Sequence, residues 1–189
     1  MQKRDIDVSD TINRWCTTVS VVRIRDKEFE WAQIGDSSIV VICKDSSFKK
    51  LPNYSWDAET LTLWKKSASR GIKSISQLSE MEAQVKKVRR QANITYGYLN
   101  GDPKAVSFLK HGTESLENVA HILLFTDGFE LPQENPSADG AEALVKPFLD
   151  HGLDYVKDYM RAIENSDPEC WKYPRFKQHD DMTAIAVSF

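Results

Sequence analysis

Residues 121–129 read His-Ile-Leu-Leu-Phe-Thr-Asp-Gly-Phe. The four apolar side chains from Ile122 to Phe125 form an uninterrupted run of strand length, as in a strand covered on both faces. Asp127-Gly128 then breaks it. A carboxylate at the end of a buried strand is costly unless something pairs with it, and the neighbouring glycine lets the backbone turn sharply. Two other carboxylates share this setting: Asp36 in Ile-Gly-Asp-Ser at 34–37, and Asp180 in His-Asp-Asp-Met-Thr at 179–183. A strand end is a rigid place from which to aim a short side chain. Several such groups brought together repel unless a cation neutralises them. Asp36, Asp127 and Asp180 are therefore read as converging on one divalent-metal site. Hard oxygen donors suit Mg²⁺ or Mn²⁺ rather than zinc. Two such ions can lower the pKa of a shared water and clamp a phosphoryl oxygen. Plainer roles exist for the same residues. Asp127 could bond its own turn backbone, and Gly-Asp-Ser is also an ordinary hairpin turn.

Around these carboxylates the pattern is mixed. Residues 16–24, 29–34 and 38–43 are β-branched or apolar with short turns between them, which predicts an antiparallel meander. Ile39 to Ile42 has no polar member, so both faces of that strand are expected to be covered. Asp57 reads as the cap of a helix carrying Leu61, Leu63 and Trp64 and ending near Gly71. Ser79 and Glu82 match a capping box. Ile75, Leu78, Met81, Val85, Val88 and Ala92 make one apolar helix face, with Lys86, Lys87, Arg89 and Arg90 on a solvated opposite face. Asn100-Gly-Asp-Pro103 is a turn. A strand is expected at 105–109, a polar connection at 113–118 and a strand at 121–126. Two helices are expected at 139–149 and 153–163, with Tyr155, Val156, Tyr159, Met160 and Ile163 on one face. Trp171, Tyr173 and Phe176 sit in a Pro-containing loop, and residues 182–189 close as a strand. Antiparallel strands with segregated helices predict an α+β layered domain.

The chain has 189 residues, enough for one domain with a real core. A formal net charge of −3 gives no reason to expect nucleic acid or an anionic membrane as partner. No apolar run is long enough to span a bilayer. Three scattered cysteines make no disulfide framework and no zinc pair; they read as small core residues in a reduced, cytoplasmic setting. His179 and the cationic face of the second helix read as solvated.

The stretches Ile-Gly-Asp-Ser at 34–37, Leu-Phe-Thr-Asp-Gly at 124–128 and Asp-Asp-Met-Thr at 180–183 resemble, in order, the later motifs of the type 2C metal-dependent protein phosphatases. Cys-Thr-Thr-Val-Ser at 16–20 is similar to the family's opening strand with paired small hydroxylated residues. The segment at 100–103 resembles bacterial members more than eukaryotic ones. The resemblance covers residues 15–189, with 1–14 as an entry segment. It implies a four-layer α-β-β-α sandwich of antiparallel sheets, and hydrolysis of phosphoserine and phosphothreonine in proteins by metal-activated water. Asp127 and Asp180 would be metal ligands. Asp36 would lie nearer a third, weaker metal position, with Asp181 and Gly128 supporting the ligands. The family's early Asp-Gly turn, which supplies the carboxylate bridging the two main metals, and its phosphate-holding basic residue have no counterpart in these residues. The sandwich is therefore expected to be incomplete at its N-terminus. An uncovered sheet edge is expected to invite self-association. The alternative function is a non-catalytic phosphatase-like module that binds or regulates a partner.

Overall fold

The computed structural model describes residues 7, 9–52, 58–68 and 79–189. Among the described residues, seven strands form two antiparallel sheets. The first has the order β1-β2-β5, with β1 at Val19–Ile24, β2 at Glu28–Ile34 and β5 at Lys110–Ser115. The second has the order β4-β3-β6-β7, with β3 at Ser38–Cys43, β4 at Phe48–Lys50, β6 at Val119–Phe125 and β7 at Ala184–Ser188. Three α-helices are described: α1 at Ala58–Ala68, α2 at Ser79–Arg90 and α3 at Gly140–Ser166. This is the expected α+β sandwich of two antiparallel sheets.

Strand β3 explains why the sheets stack. Ile39, Val40, Val41 and Ile42 are all buried. Side chains alternate along a strand, so this run faces two ways. Ile39 and Val41 pack with Phe29 and Trp31 of the first sheet, together with Ile122 and Val119 of β6. Val40 and Ile42 pack on the other side with Leu123 and Phe125 of β6 and with the apolar face of α3. That face consists of Ala141, Leu144, Val145 and Phe148, then Val156 and Met160. Its spacing is helical, with residues three and four apart sharing a side. Each of these aliphatic side chains stabilises the fold by about 1.5–3 kcal/mol relative to exposure.

Several expectations are corrected. The three N-terminal strands are not one meander: β1 pairs with β2, β2 pairs on its other side with β5, and β3 crosses to the second sheet. Residues 105–109 do not form a strand. Pro103–Phe108 is a 3-10 helix, capped by Asp102, whose carboxylate accepts from the Lys104 amide at 3.0 Å. The proline starts that helix well, since its fixed φ and missing N–H suit a first turn. The expected polar connection at 113–118 overlaps β5, which pairs with β2 through Glu30↔Thr113 and Ala32↔His111. Tyr155 and Tyr159 are exposed rather than core; their rings stack with centroids 6.1 Å apart. Of the three cysteines only Cys170 is buried, and Cys16 is exposed. Asp57, Gly71, Ile75 and Leu78 lie outside the described residues, as do the side chains of Ser79 and Met81; Glu82 pairs with Lys86.

The two expected helices of the C-terminal half are both present, as two segments of α3 that meet at a break. Gly152 has φ 81° and ψ −179°, outside helical space. Only glycine adopts this region at little cost. A methyl group there would meet nothing within 4 Å, so a substitution costs conformation alone. Gly152→Ala is expected to lower stability by about 1–3 kcal/mol, read as a lower midpoint in urea unfolding with an unchanged slope. A wild-type midpoint would show that the break does not need glycine.

Candidate metal centre

Antiparallel pairing brings the three predicted carboxylates to one end of the second sheet. Asp36 precedes β3, Asp127 follows β6, and Asp180 precedes β7. Because β6 runs antiparallel to both neighbours, the start of β3 and the start of β7 lie beside the end of β6. The registers Ser38↔Phe125 and Phe125↔Ala184 place them there.

The contact between the last two turns is close. The Thr126 amide donates to the Thr183 carbonyl at 3.0 Å, and the Thr183 amide donates to Thr126 Oγ1 at 3.2 Å. Gly128 lies against the Asp180-Asp181 backbone. A Cβ on Gly128 would stand 2.2 Å from the Asp181 carbonyl oxygen and 3.2 Å from Asp180 Cβ. The glycine of Thr-Asp-Gly is thus needed for approach, and it brings Asp127 beside Asp180.

The electrostatics follow from that approach. Asp127 keeps an accessible surface, but groove walls surround it. Desolvation first, and the negative charge of Asp180 second, raise its pKa above the ordinary carboxylate value. The Gly128 amide, which donates to Asp127 Oδ1 at 2.9 Å, opposes this, as does the charge of Lys177. Asp180 likewise accepts from the next amide, that of Asp181, at 2.7 Å. The turn-carboxylate role and the paired-carboxylate role are therefore both present in the same residues. Lys177 Nζ sits 2.6 Å from Asp180 Oδ1. Its own pKa is raised, mainly by that hydrogen bond, with Asp180, Asp181 and Asp127 all adding to the effect.

Asp36 stands on a separately braced turn. Thr18 Oγ1 and Ser37 Oγ are 2.7 Å apart, and Ser20 Oγ donates to the Ser37 carbonyl at 3.0 Å. The hydroxylated residues of β1 and its approach thus hold the Gly-Asp-Ser turn. Gly35 has φ 91°, and a side chain there would strike Thr18. Ser38 Oγ donates to Glu130 Oε1 at 3.1 Å, tying this turn to the one that carries Asp127. Asp36, Asp127 and Asp180 line one groove of about 510 Å³, together with Lys50, Glu130, Arg175 and Lys177. Among the described residues, however, no three Asp, Glu, His or Cys side chains lie close enough together to hold an ion by themselves. The structure brings Asp127 and Asp180 into electrostatic contact and leaves Asp36 on the wall of the same groove.

The donor set fits a hard cation. Two carboxylates meet in a partly desolvated groove, and the Lys177 ammonium already stands in for positive charge between them. Lys177 was not singled out from the sequence. Its signal was available: a lysine three residues before Asp180, in a loop rather than a helix. Glu130, tied to Ser38 and to Lys50 Nζ at 3.0 Å, also escaped notice because nothing local distinguishes it.

Three comparisons bear on this geometry. A family model described as "Protein phosphatase 2C" matches residues 2–164. A search of curated proteins found no match. Among solved structures, the serine/threonine phosphatase Stp1 from Staphylococcus aureus is 18% identical with a TM-score of 0.50, and the alignment covers 92% of this chain and 56% of that one. A bacterial serine phosphatase is 17% identical with a TM-score of 0.49, covering 92% and 57%. The catalytic domain of the phosphatase PstP, solved in complex with 2 manganese ions, is 15% identical with a TM-score of 0.48, covering 92% and 58%. The likeness to Stp1 is one of fold. The chain spans 56–58% of the length of these three structures.

Two outcomes follow from the close approach. Gly128→Ala puts a methyl group into backbone that cannot swing aside, and is expected to cost about 1–3 kcal/mol in chemical unfolding. Asp127→Asn removes the desolvated charge while keeping an acceptor for the Gly128 amide. It is expected to raise the melting temperature of the metal-free protein at neutral pH. A carboxyl with a raised folded-state pKa binds its proton in the folded protein before the unfolded one as pH falls. The wild type therefore regains the lost stability on acidification through that pKa, and the advantage of Asp127→Asn shrinks. Melting curves of both proteins across pH, with chelator present, check the sign.

Proposed function

The chain belongs to the protein phosphatase 2C family, and from that premise we propose that it carries part of a metal-dependent site that hydrolyses phosphoserine and phosphothreonine in proteins. The observation that carries this reading is the contact of Asp127 with Asp180 across Gly128, in a groove where Lys177 supplies the neutralising charge. Mg²⁺ or Mn²⁺ is the fitting ion, since both take carboxylate oxygens. Asp127 and Asp180 would hold it, and Asp36 on the groove wall would serve a weaker position. When bound, such an ion supplies an activated water and withdraws charge from a phosphoryl oxygen.

The chain's own residues do the rest. Gly128 sets the carboxylate spacing. Asp181, next to Asp180, adds its negative charge to the field that Lys177 feels. Lys177 Nζ pairs with Asp180 Oδ1 at 2.6 Å, so it would compete with an ion for that carboxylate and, when displaced, would leave a cation in the groove. A groove of about 510 Å³ has room for a phosphorylated side chain.

A second reading is favoured by one observation: the described residues contain no complete three-ligand set. On that reading the chain is a non-catalytic phosphatase-like module that binds or regulates a partner.

One experiment separates the two. The chain is assayed for hydrolysis of p-nitrophenyl phosphate and of a phosphothreonine peptide with Mn²⁺, with Mg²⁺ and with chelator. Metal-dependent turnover is expected, and Asp127→Asn is expected to lower it at least about 100-fold, beyond the usual cost of losing a supporting partner. A folded chain that hydrolyses neither substrate with either metal supports the module.

A further inference from the structure

Glu164 is a buried charge on the wall of the same groove, with no role assigned to it so far. It lies near the end of α3 and is only 4% exposed. A carboxylate in that position needs a partner. Arg161, three residues earlier on the same helix, provides it: Nη1 donates to Glu164 Oε2 at 2.7 Å. The same guanidinium faces the metal centre with its other nitrogen. Arg161 Nη2 donates to the backbone carbonyl of Asp180 at 2.8 Å. One rigid planar fork is thus fixed to a buried anion on the helix and to the backbone of a carboxylate in the groove.

The surrounding contacts point the same way. His179 Nε2 lies 2.9 Å from Asn165 Oδ1 and 4.0 Å from Glu164 Oε2. Arg175 Nη2 donates to the Glu164 carbonyl at 3.0 Å. The segment that leads into Asp180 is therefore lashed to the last turns of α3. Asp180 itself sits four residues before the start of β7 at Ala184, beyond the sheet ladder that fixes Asp127's strand. Its backbone needs another anchor, and α3 supplies one.

We propose that Arg161, oriented by Glu164, is a positioning residue for the metal centre: it holds the Asp180 backbone so that the Asp180 carboxylate meets Asp127. This rests on the metal-site reading above. It predicts that metal affinity depends on a pair of residues that reaches Asp180 only through its backbone carbonyl. Outer partners that orient a ligand commonly change affinity by about 10–100-fold.

Removing Arg161 alone would strand the Glu164 charge and could unfold the helix end for that reason. The test therefore replaces both, Arg161→Met with Glu164→Met, because exchanging a buried ion pair for apolar side chains of similar size is often neutral for stability. A second variant, Arg161→Lys, keeps the charge beside Glu164 but lacks the fork that reaches Asp180 as well. Three quantities are measured on the chain: the melting temperature, amide hydrogen exchange at 181–183 without metal, and Mn²⁺ affinity by titration followed by electron paramagnetic resonance. Both variants are expected to stay folded, to exchange the 181–183 amides at least about tenfold faster, and to bind Mn²⁺ about 10–100-fold more weakly. Unchanged exchange in folded variants overturns the clamp. Faster exchange with unchanged Mn²⁺ affinity overturns the positioning role and leaves a purely structural pair. If the double variant does not fold, Arg161→Lys decides by the same two readouts. A wild-type chain that binds no Mn²⁺ sinks the metal-site reading, and the positioning role with it, while the exchange arm still decides whether Arg161 restrains Asp180.

Discussion

Two carboxylates of like charge, Asp127 and Asp180, are held together in a groove that strips away part of their water, and the surrounding structure opposes their separation. The opposition begins in the sheet. Strand β6 is paired on both sides, and β3 beside it is buried on both faces, so neither strand can shift without opening a core cluster. Slipping the β6 ladder by one residue would send its side chains into the opposite core cluster and mismatch both. Thr126 and Thr183 extend the β6–β7 pairing past its regular end, up to the residues that repel. Gly128 removes the one side-chain atom that would have kept the turns apart. Lys177 then lowers the repulsion from the solvent side.

The loop after α3 is braced by a second set of charges. Asp167 accepts hydrogen bonds from the amides of Tyr173 and Trp171 and from Arg175 Nη1 at 3.0 Å. Burial alone would push its carboxyl up, yet these amides, that of Lys172 and the Arg175 guanidinium together hold it below the ordinary value. Its contribution to stability is thus present above the unfolded-state pKa and lost as pH falls through the lower, folded one. Asp127 has the opposite sign. One carboxylate is stabilised by its surroundings and braces the loop, and the other is destabilised by them.

Much of this could be read from the residues because the relevant signals are local. The run Ile39 to Ile42 declared a strand with two covered faces, and β3 spans Ser38–Cys43 as expected. The turn chemistry of Gly-Asp-Ser and Thr-Asp-Gly located Asp36 and Asp127 at strand ends. The two helices expected at 139–149 and 153–163 leave a gap where α3 breaks, at Gly152. What escaped was set by partners distant in sequence. Strand β5 carries Lys110, His111, Gly112, Thr113, Glu114 and Ser115, with no apolar alternation, and exists because β2 offers it a ladder. The turn between β2 and β3 looked like a hairpin, yet it moves the chain from one sheet to the other. At 103–108 the local proline and its Asp102 cap outweighed apolar residues that suggested a strand. Arg161 and Glu164 had the spacing of an ordinary helix-surface ion pair. Only the fold reveals that one of them is buried and that the other reaches Asp180.

The same topology accounts for the position of Asp36. An antiparallel three-strand unit sends the start of β3, the end of β6 and the start of β7 to one edge, so three carboxylates placed at those termini must share a groove. Sharing a groove is a weaker condition than sharing an ion. Asp127 and Asp180 meet because hydrogen bonds between Thr126 and Thr183 continue the pairing of their strands, and because a glycine permits contact. Asp36 is braced differently, by hydroxyls of Thr18 and Ser20 on the first sheet. Its turn therefore follows the relative placement of the two sheets, whereas the other two follow a single ladder. A displacement between the sheets would change the distance from Asp36 to the pair while leaving the pair intact. The groove thus joins a rigid half, built within one sheet, to a half whose separation is set by side-chain packing between Phe29, Trp31, Ile39, Val41 and Ile122.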